Sequence, residues 1–164
     1  MKNLKNLKSS YTKTLAIGFI ALTLVIGTFT NSTLAYAFDL PLTGSAAALA
    51  DKEYTLEEML TYAIQDEYAA KAEYDAIIKT FNTTRPYTNI TKAESTHISL
   101  LLPLFETYGV TVPTNDAAQN ITLPTTLAET YPIGVEAEIN NIVMYESFLK
   151  QDLPTDVANV FAYL

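Results

Sequence analysis

Residues 55–81 read TLEEMLTYAIQDEYAAKAEYDAIIKTF. The opening Thr55-Leu56-Glu57-Glu58 is a capping-box pattern, in which a threonine and a glutamate three residues on satisfy two free backbone N–H groups. Behind it Leu60, Ala63, Ile64, Ala70, Tyr74, Ile77 and Ile78 recur at helical spacing. The stretch therefore predicts one long amphipathic helix, about Leu56 to Phe81. Asn82-Thr83-Thr84-Arg85-Pro86 stops it. One residue breaks the stripe. Leu60, Glu67 and Tyr74 are spaced by sevens, so they share a face, and the Glu67 carboxylate points where its apolar neighbours point.

Working outward, a second helix is predicted over about Ile90 to Tyr108, ending at Gly109. Ile90, Leu101, Phe105 and Tyr108 form its stripe, with Ile98 and Leu104 beside it, and Pro103 predicts a kink or an early end. Thr111 to Thr130 is polar, holds Pro113 and Pro124, and is long for a helix–helix connection. A third helix is predicted from about Pro132, which suits a first turn, to Gln151. Its expected core stripe is Val135, Ile139, Ile142, Tyr145 and Leu149. Leu153-Pro154-Thr155 is a turn, and a fourth helix begins near Asp156 with Val157, Val160, Phe161 and Leu164. It has about ten residues, marginal without packing. The pattern stops uncapped, which reads as a truncated product. Strand signals are weak throughout, so the fold class is all-α.

The same interruption recurs on the other helices. Glu94-Ser-Thr-His97 holds the only histidine. Ile90, Glu94, His97, Leu101 and Phe105 follow helical spacing, so Glu94 and His97 face the core together. Val135, Glu138, Ile142 and Tyr145 repeat the pattern on the third helix. Buried unpaired charge is costly. Three carboxylates in one core also repel and raise one another's pKa values. A di- or trivalent cation removes that penalty, and carboxylate oxygens with an imidazole nitrogen suit iron, manganese or zinc. Di-metal sites in helical bundles take one Glu from each of two helices and Glu-x-x-His from each of the other two. Glu67, Glu94-x-x-His97 and Glu138 supply three of these four contributions, and no second histidine supplies the fourth. Each residue also has an ordinary reading. Glu94 could cap with Thr91, and His97 could be a hydrogen-bonded core residue. Glu67, flanked by Asp66 and near Glu73, could rotate outward, and Glu136 competes with Glu138. Tyr62, Tyr68, Tyr74 and Tyr145 read as core filler, with a redox-active tyrosine as the alternative.

The N-terminus reads as a secretory leader. Lys2, Lys5, Lys8 and Lys13 precede an apolar run from Leu15 to Phe29, and Ala35-Tyr36-Ala37 offers a cleavage site before Phe38. The run has about 15 residues where a spanning helix needs about 20; a retained anchor is the alternative. Phe38 to Lys52, with Pro41, Gly44 and several alanines, reads as linker, which places the domain over 55–164. Removing the leader leaves six basic residues against eighteen acidic ones, a net charge of −12. Such a chain carries no nucleic-acid footprint and attracts cations. The absence of cysteine excludes disulfides, thiol catalysis, thiolate ligands and a lipoprotein anchor.

Asp66-Glu67-Tyr68-Ala69-Ala70 with Tyr74 resembles the first-helix signature of a prokaryotic ferritin-like family, domain of unknown function 2202. Asn89-Ile90 with Glu94 and His97 resembles its second-helix segment, and Gly134, Glu138 and Asn141-Ile142 resemble its third. The resemblance spans about Leu56 to Leu164. It implies an antiparallel four-helix bundle related to rubrerythrin and ferritin, here with an incomplete fourth helix. It also implies Glu67, Glu94, His97 and Glu138 as metal ligands. The expected protein is an exported, secreted or cell-envelope di-iron or di-manganese carboxylate bundle, with oxidation of ferrous iron or reduction of peroxide as the matching chemistry. The alternative is a non-catalytic exported helical domain. Its unfinished fourth helix would leave an apolar groove for a partner helix or a second copy. Contact with a membrane is expected only through an uncleaved leader.

Overall fold

The structure, a computed structural model, describes residues 42–164. The leader lies outside the described residues. Within them every regular element is helical and no strand occurs. The helices are α1 (Gly44–Ala50), α2 (Leu56–Phe81), α3 (Tyr87–Tyr108), α4 (Leu127–Phe148) and α5 (Thr155–Tyr163), with a 3-10 turn at Ala117–Gln119.

α2 is the spine, packing against α1, α3, α4 and the 3-10 turn. Its capping box forms as the sequence predicts. Glu58 N–H donates to Thr55 Oγ1 at 3.2 Å, and Thr55 N–H donates to Glu58 Oε2 at 2.8 Å. Asn82 closes the helix in the left-handed conformation at φ 48°, which asparagine tolerates better than most residues. The short turn to α3 makes the two helices antiparallel neighbours.

Two apolar clusters lie along α2. The larger joins Leu60, Ile64, Leu101, Phe105, Phe148 and Phe161, all at most 1% exposed. The smaller joins Tyr74, Ile77 and Tyr87. Glu67 sits between them in the chain, midway from Leu60 to Tyr74.

Four expectations are corrected. The stretch that reads as linker contains α1, which packs on α2 and α4. Asp66 Oδ1 accepts the Ser45 N–H at 2.7 Å, tying down its first turn, and Ala48 is fully buried. Gly44 has φ +58°, and a β-carbon there would lie 3.0 Å from the Asp66 α-carbon, so only glycine lets α1 start this close to α2. The second helix begins at Tyr87, three residues before Ile90, and runs through Pro103 to Tyr108. The third begins at Leu127, not Pro132. Glu129 Oε2 accepts the Thr126 N–H at 3.0 Å, making Thr126-x-x-Glu129 its start signal. Pro132 lies inside the helix, in its second turn.

The last correction concerns rotation. Val135, Ile139, Ile142 and Leu149, expected in the core, are exposed, and only Tyr145 of that stripe is buried. α4 turns Thr130, Met144, Tyr145 and Phe148 inward instead. The aromatics decide this. Phe148 meets Tyr54 edge-on at 5.1 Å and packs against Phe161 at 5.5 Å, while Tyr145 packs against Phe161 at 5.4 Å. Aromatic rings bury more area than Val or Ile, so the ring-bearing face takes the core.

Candidate metal centre

Three helices converge on one polar centre. α2 brings in Glu67, 1% exposed, and α3 brings in Glu94, 5% exposed. One turn beyond Glu94, His97 keeps 19% of its side chain exposed. The imidazole Nδ1 lies 3.0 Å from Glu67 Oε2 and 3.2 Å from Glu94 Oε2. α4 completes the surround: Tyr145 Oη donates to Glu67 Oε1 at 2.7 Å, and Asn141 Nδ2 donates to it at 3.4 Å. Asn141 Nδ2 also donates to Asp66 Oδ2 at 2.9 Å. No buried side-chain polar atom among the described residues lacks a partner.

The charges follow from burial and pairing. Hydrogen bonds to Glu67 and Glu94 push His97 up to about 10, against the opposing pull of desolvation. Below that pH it is an imidazolium. Burial alone would push Glu67 up, but hydrogen bonds from His97, Glu94 and Tyr145 hold it below the usual range, so it stays ionised. Burial raises Glu94 to about 7, and the neighbouring Glu67 charge adds to the rise. The centre is thus two carboxylates and an imidazole that share protons at neutral pH.

That spacing also suits a cation. Ligands bonded at about 2.0–2.2 Å and set at right angles lie roughly 3 Å apart, the separation between Nδ1 and each carboxylate here. One ligand atom from each of Glu67, Glu94 and His97 lies within 4.8 Å of the others, so the group could hold a metal ion. Three protein ligands leave positions free for water or substrate, as in catalytic rather than structural sites. Carboxylate and imidazole donors fit several transition metals and do not single out iron or manganese.

Glu138 stands apart from these three. It is exposed on α4, and its Oε1 accepts the Tyr74 hydroxyl at 2.5 Å. Its rival Glu136 is exposed as well. The capping alternative for Glu94 does not occur: Thr91 lies in the second turn of α3, and its hydroxyl donates to Asp75 Oδ1 at 2.7 Å. The sequence does not single out Asn141 or Asp66 as site residues, and Tyr145 reads there as core filler. The signal available for Asn141 and Tyr145 was their position three and seven residues beyond Glu138 on a helix.

Fold and centre together define an all-helical protein with a buried carboxylate–imidazole group. The chain matches no protein-family model, no curated protein and no solved structure. Among the described residues no helix is long and apolar enough to cross a membrane.

Proposed function

We propose that this is an exported metal-binding helical protein of the ferritin-like type, in which Glu67, Glu94 and His97 hold the ion. The observation that carries the reading is the convergence of these three side chains, two of them buried, from two helices. Stability does not account for it. A buried ionic group is commonly matched or bettered by apolar residues of similar volume, so ligand binding is the better reason for its presence.

An iron or manganese ion would bring redox chemistry to the centre, with ferrous iron oxidation or peroxide reduction as the matching reactions. The residues' own parts are separable. Glu67, gripped by Tyr145 and Asn141, is the preset ligand. Glu94 and His97 yield their protons on binding. Glu138, at the surface and holding the Tyr74 hydroxyl, lies outside this ligand group.

Titration calorimetry of the metal-free protein with Mn²⁺, Zn²⁺ and, anaerobically, Fe²⁺ tests the reading. About one ion per chain is expected, with Glu94→Ala weakening affinity at least ~100-fold, the upper end of what even outer ligands contribute. Affinity no tighter than millimolar, unchanged by Glu94→Ala, would refute it.

Export rests on the leader pattern. N-terminal sequencing of protein recovered from a secreting host is expected to begin at Phe38. A start at Met1 in a soluble cytosolic form would count against it.

A further inference from the structure

Asp66 and Glu67 are neighbours on α2, and each divides its two carboxylate oxygens between different helices. Asp66 Oδ1 accepts the Ser45 N–H of α1 at 2.7 Å, while its Oδ2 accepts from Asn141 Nδ2 of α4 at 2.9 Å. Glu67 Oε1 accepts from Asn141 Nδ2 and Tyr145 Oη, both on α4, which leaves Oε2 to face His97 Nδ1 on α3. Four hydrogen bonds therefore run in series from the first turn of α1 to the imidazole. They join Ser45 to Asp66, Asp66 to Asn141, Asn141 to Glu67, and Glu67 to His97.

The Asn141 amide is the joint of this series. Its nitrogen carries two N–H groups, and it serves both carboxylates, at 2.9 Å to Asp66 and 3.4 Å to Glu67. Turned over, the amide would set its oxygen against two carboxylates, so these neighbours fix which way it faces. Among the described residues the Asp66 side chain makes no hydrogen bond to Glu67, Glu94 or His97, and its hold on Glu67 passes through Asn141.

We infer that Asp66 and Asn141 are positioning residues for the metal centre, and that they couple the docking of α1 to metal binding at Glu67. The inference rests on the reading of Glu67, Glu94 and His97 as ligands. With Oε1 gripped from α4, Glu67 turns Oε2 toward the ion, and Asp66 holds the gripping amide in place. Coupling of this kind is reciprocal. Docked α1 tightens the hold on the ion, and the ion tightens the docking of α1. α1 is able to respond, because a helix of 7 residues is marginal without its contacts and opens at low cost.

Calorimetry with Zn²⁺ on the full chain reads the positioning. Asp66→Asn keeps an oxygen for the Ser45 N–H but turns an N–H toward Asn141, so the Asn141 amide must flip or lose its partner. Affinity is expected to fall about 10-fold, the lower end for groups that orient a ligand. In an Asn141→Ala background the same change is expected to alter affinity less than ~2-fold, because the joint is already gone. Loss of the Asp66 charge by itself would instead weaken both backgrounds alike. Hydrogen exchange of the Ser45 amide reads the coupling: saturating Zn²⁺ is expected to slow it about 10-fold in the parent protein and to leave it unchanged in Asn141→Ala. Far-UV circular dichroism checks that the variants fold; should Asp66→Asn lose helicity, the exchange comparison decides alone. An Asp66→Asn loss that is absent or equal in the two backgrounds, or Ser45 exchange unmoved by bound zinc in the parent protein, would overturn the coupling and leave the three ligands standing. A parent protein that binds no zinc would overturn both.

Discussion

Replacing Glu67 by alanine is expected to cost about 3 to 5 kcal/mol of stability, the range for removing one partner of a buried ion pair. The cost arises because Glu67 satisfies three groups at once. Without it the His97 imidazolium keeps only Glu94, at 3.2 Å. Tyr145, 4% exposed, loses the acceptor for its hydroxyl, and Asn141 loses one of two. A chain of this size loses about 3–5 °C in Tm per kcal/mol, so a fall of 10–20 °C is expected in thermal melts. Metal binding should vanish with it. Changing the three centre residues and the buried tyrosine together to apolar residues, Glu67→Leu with Glu94→Leu, His97→Leu and Tyr145→Phe, should restore most of the stability while leaving metal binding absent. That pair of results would show that the centre is kept for its ligand rather than for the fold. If Glu67→Ala melts within a few degrees of the parent protein, the ionic core described here is wrong.

Metal affinity is expected to rise steeply with pH, because the ion must displace protons. His97 titrates at about 10 and Glu94 at about 7. Between those values binding releases one proton, and affinity gains about tenfold per pH unit. Below pH 7 it releases nearly two, and the gain approaches ~100-fold per unit. The metal-free fold moves the other way. His97 is raised from 6.5 on folding, so its contribution is complete below pH 6.5 and is lost as pH rises through 10. Glu94 is raised from 4.5, so the folded state is penalised progressively between pH 4.5 and 7 as the unfolded chain ionises first. Glu67 is lowered, so its support is present above 4.5 and fails only in stronger acid. A metal-free Tm highest near pH 5 and lower by roughly 5–10 °C at pH 10 is expected. Added Mn²⁺ should stabilise more as pH rises. Calorimetry in buffers of differing protonation enthalpy counts the protons, and an affinity flat from pH 6 to 9 would exclude the centre as the binding site.

These expectations rest on features that differ in how far they could be read without coordinates. α2 was fully legible, because a capping box and a 3.6-residue stripe are local signals. Glu94 and His97 were legible as neighbours for the same reason: three residues apart on a helix is one face. α1 was not. Seven residues of glycine, serine, alanine and leucine carry no periodic signal, and the helix stands because Asp66 and the face of α2 hold it. The start of α4 was legible in retrospect, since Thr126-x-x-Glu129 is the same cap as Thr55-x-x-Glu58. Pro132 drew attention to a later point that the helix tolerates.

The rotation of α4 was beyond reach in principle. It has two apolar faces, and periodicity weighs them alike. The choice was made by rings on other elements, Tyr54 and Phe161, which pack on Tyr145 and Phe148. With that rotation Asn141 and Tyr145 reach Glu67, Glu138 turns to Tyr74 at the surface, and the Val135–Ile142 stripe faces outward. Residue order alone settles what the chemistry along each helix is, because spacing along one chain sets which side chains share a face. Which faces meet is a sum over burial, hydrogen bonds and charge from residues 30 to 78 positions apart, and no local pattern contains that sum.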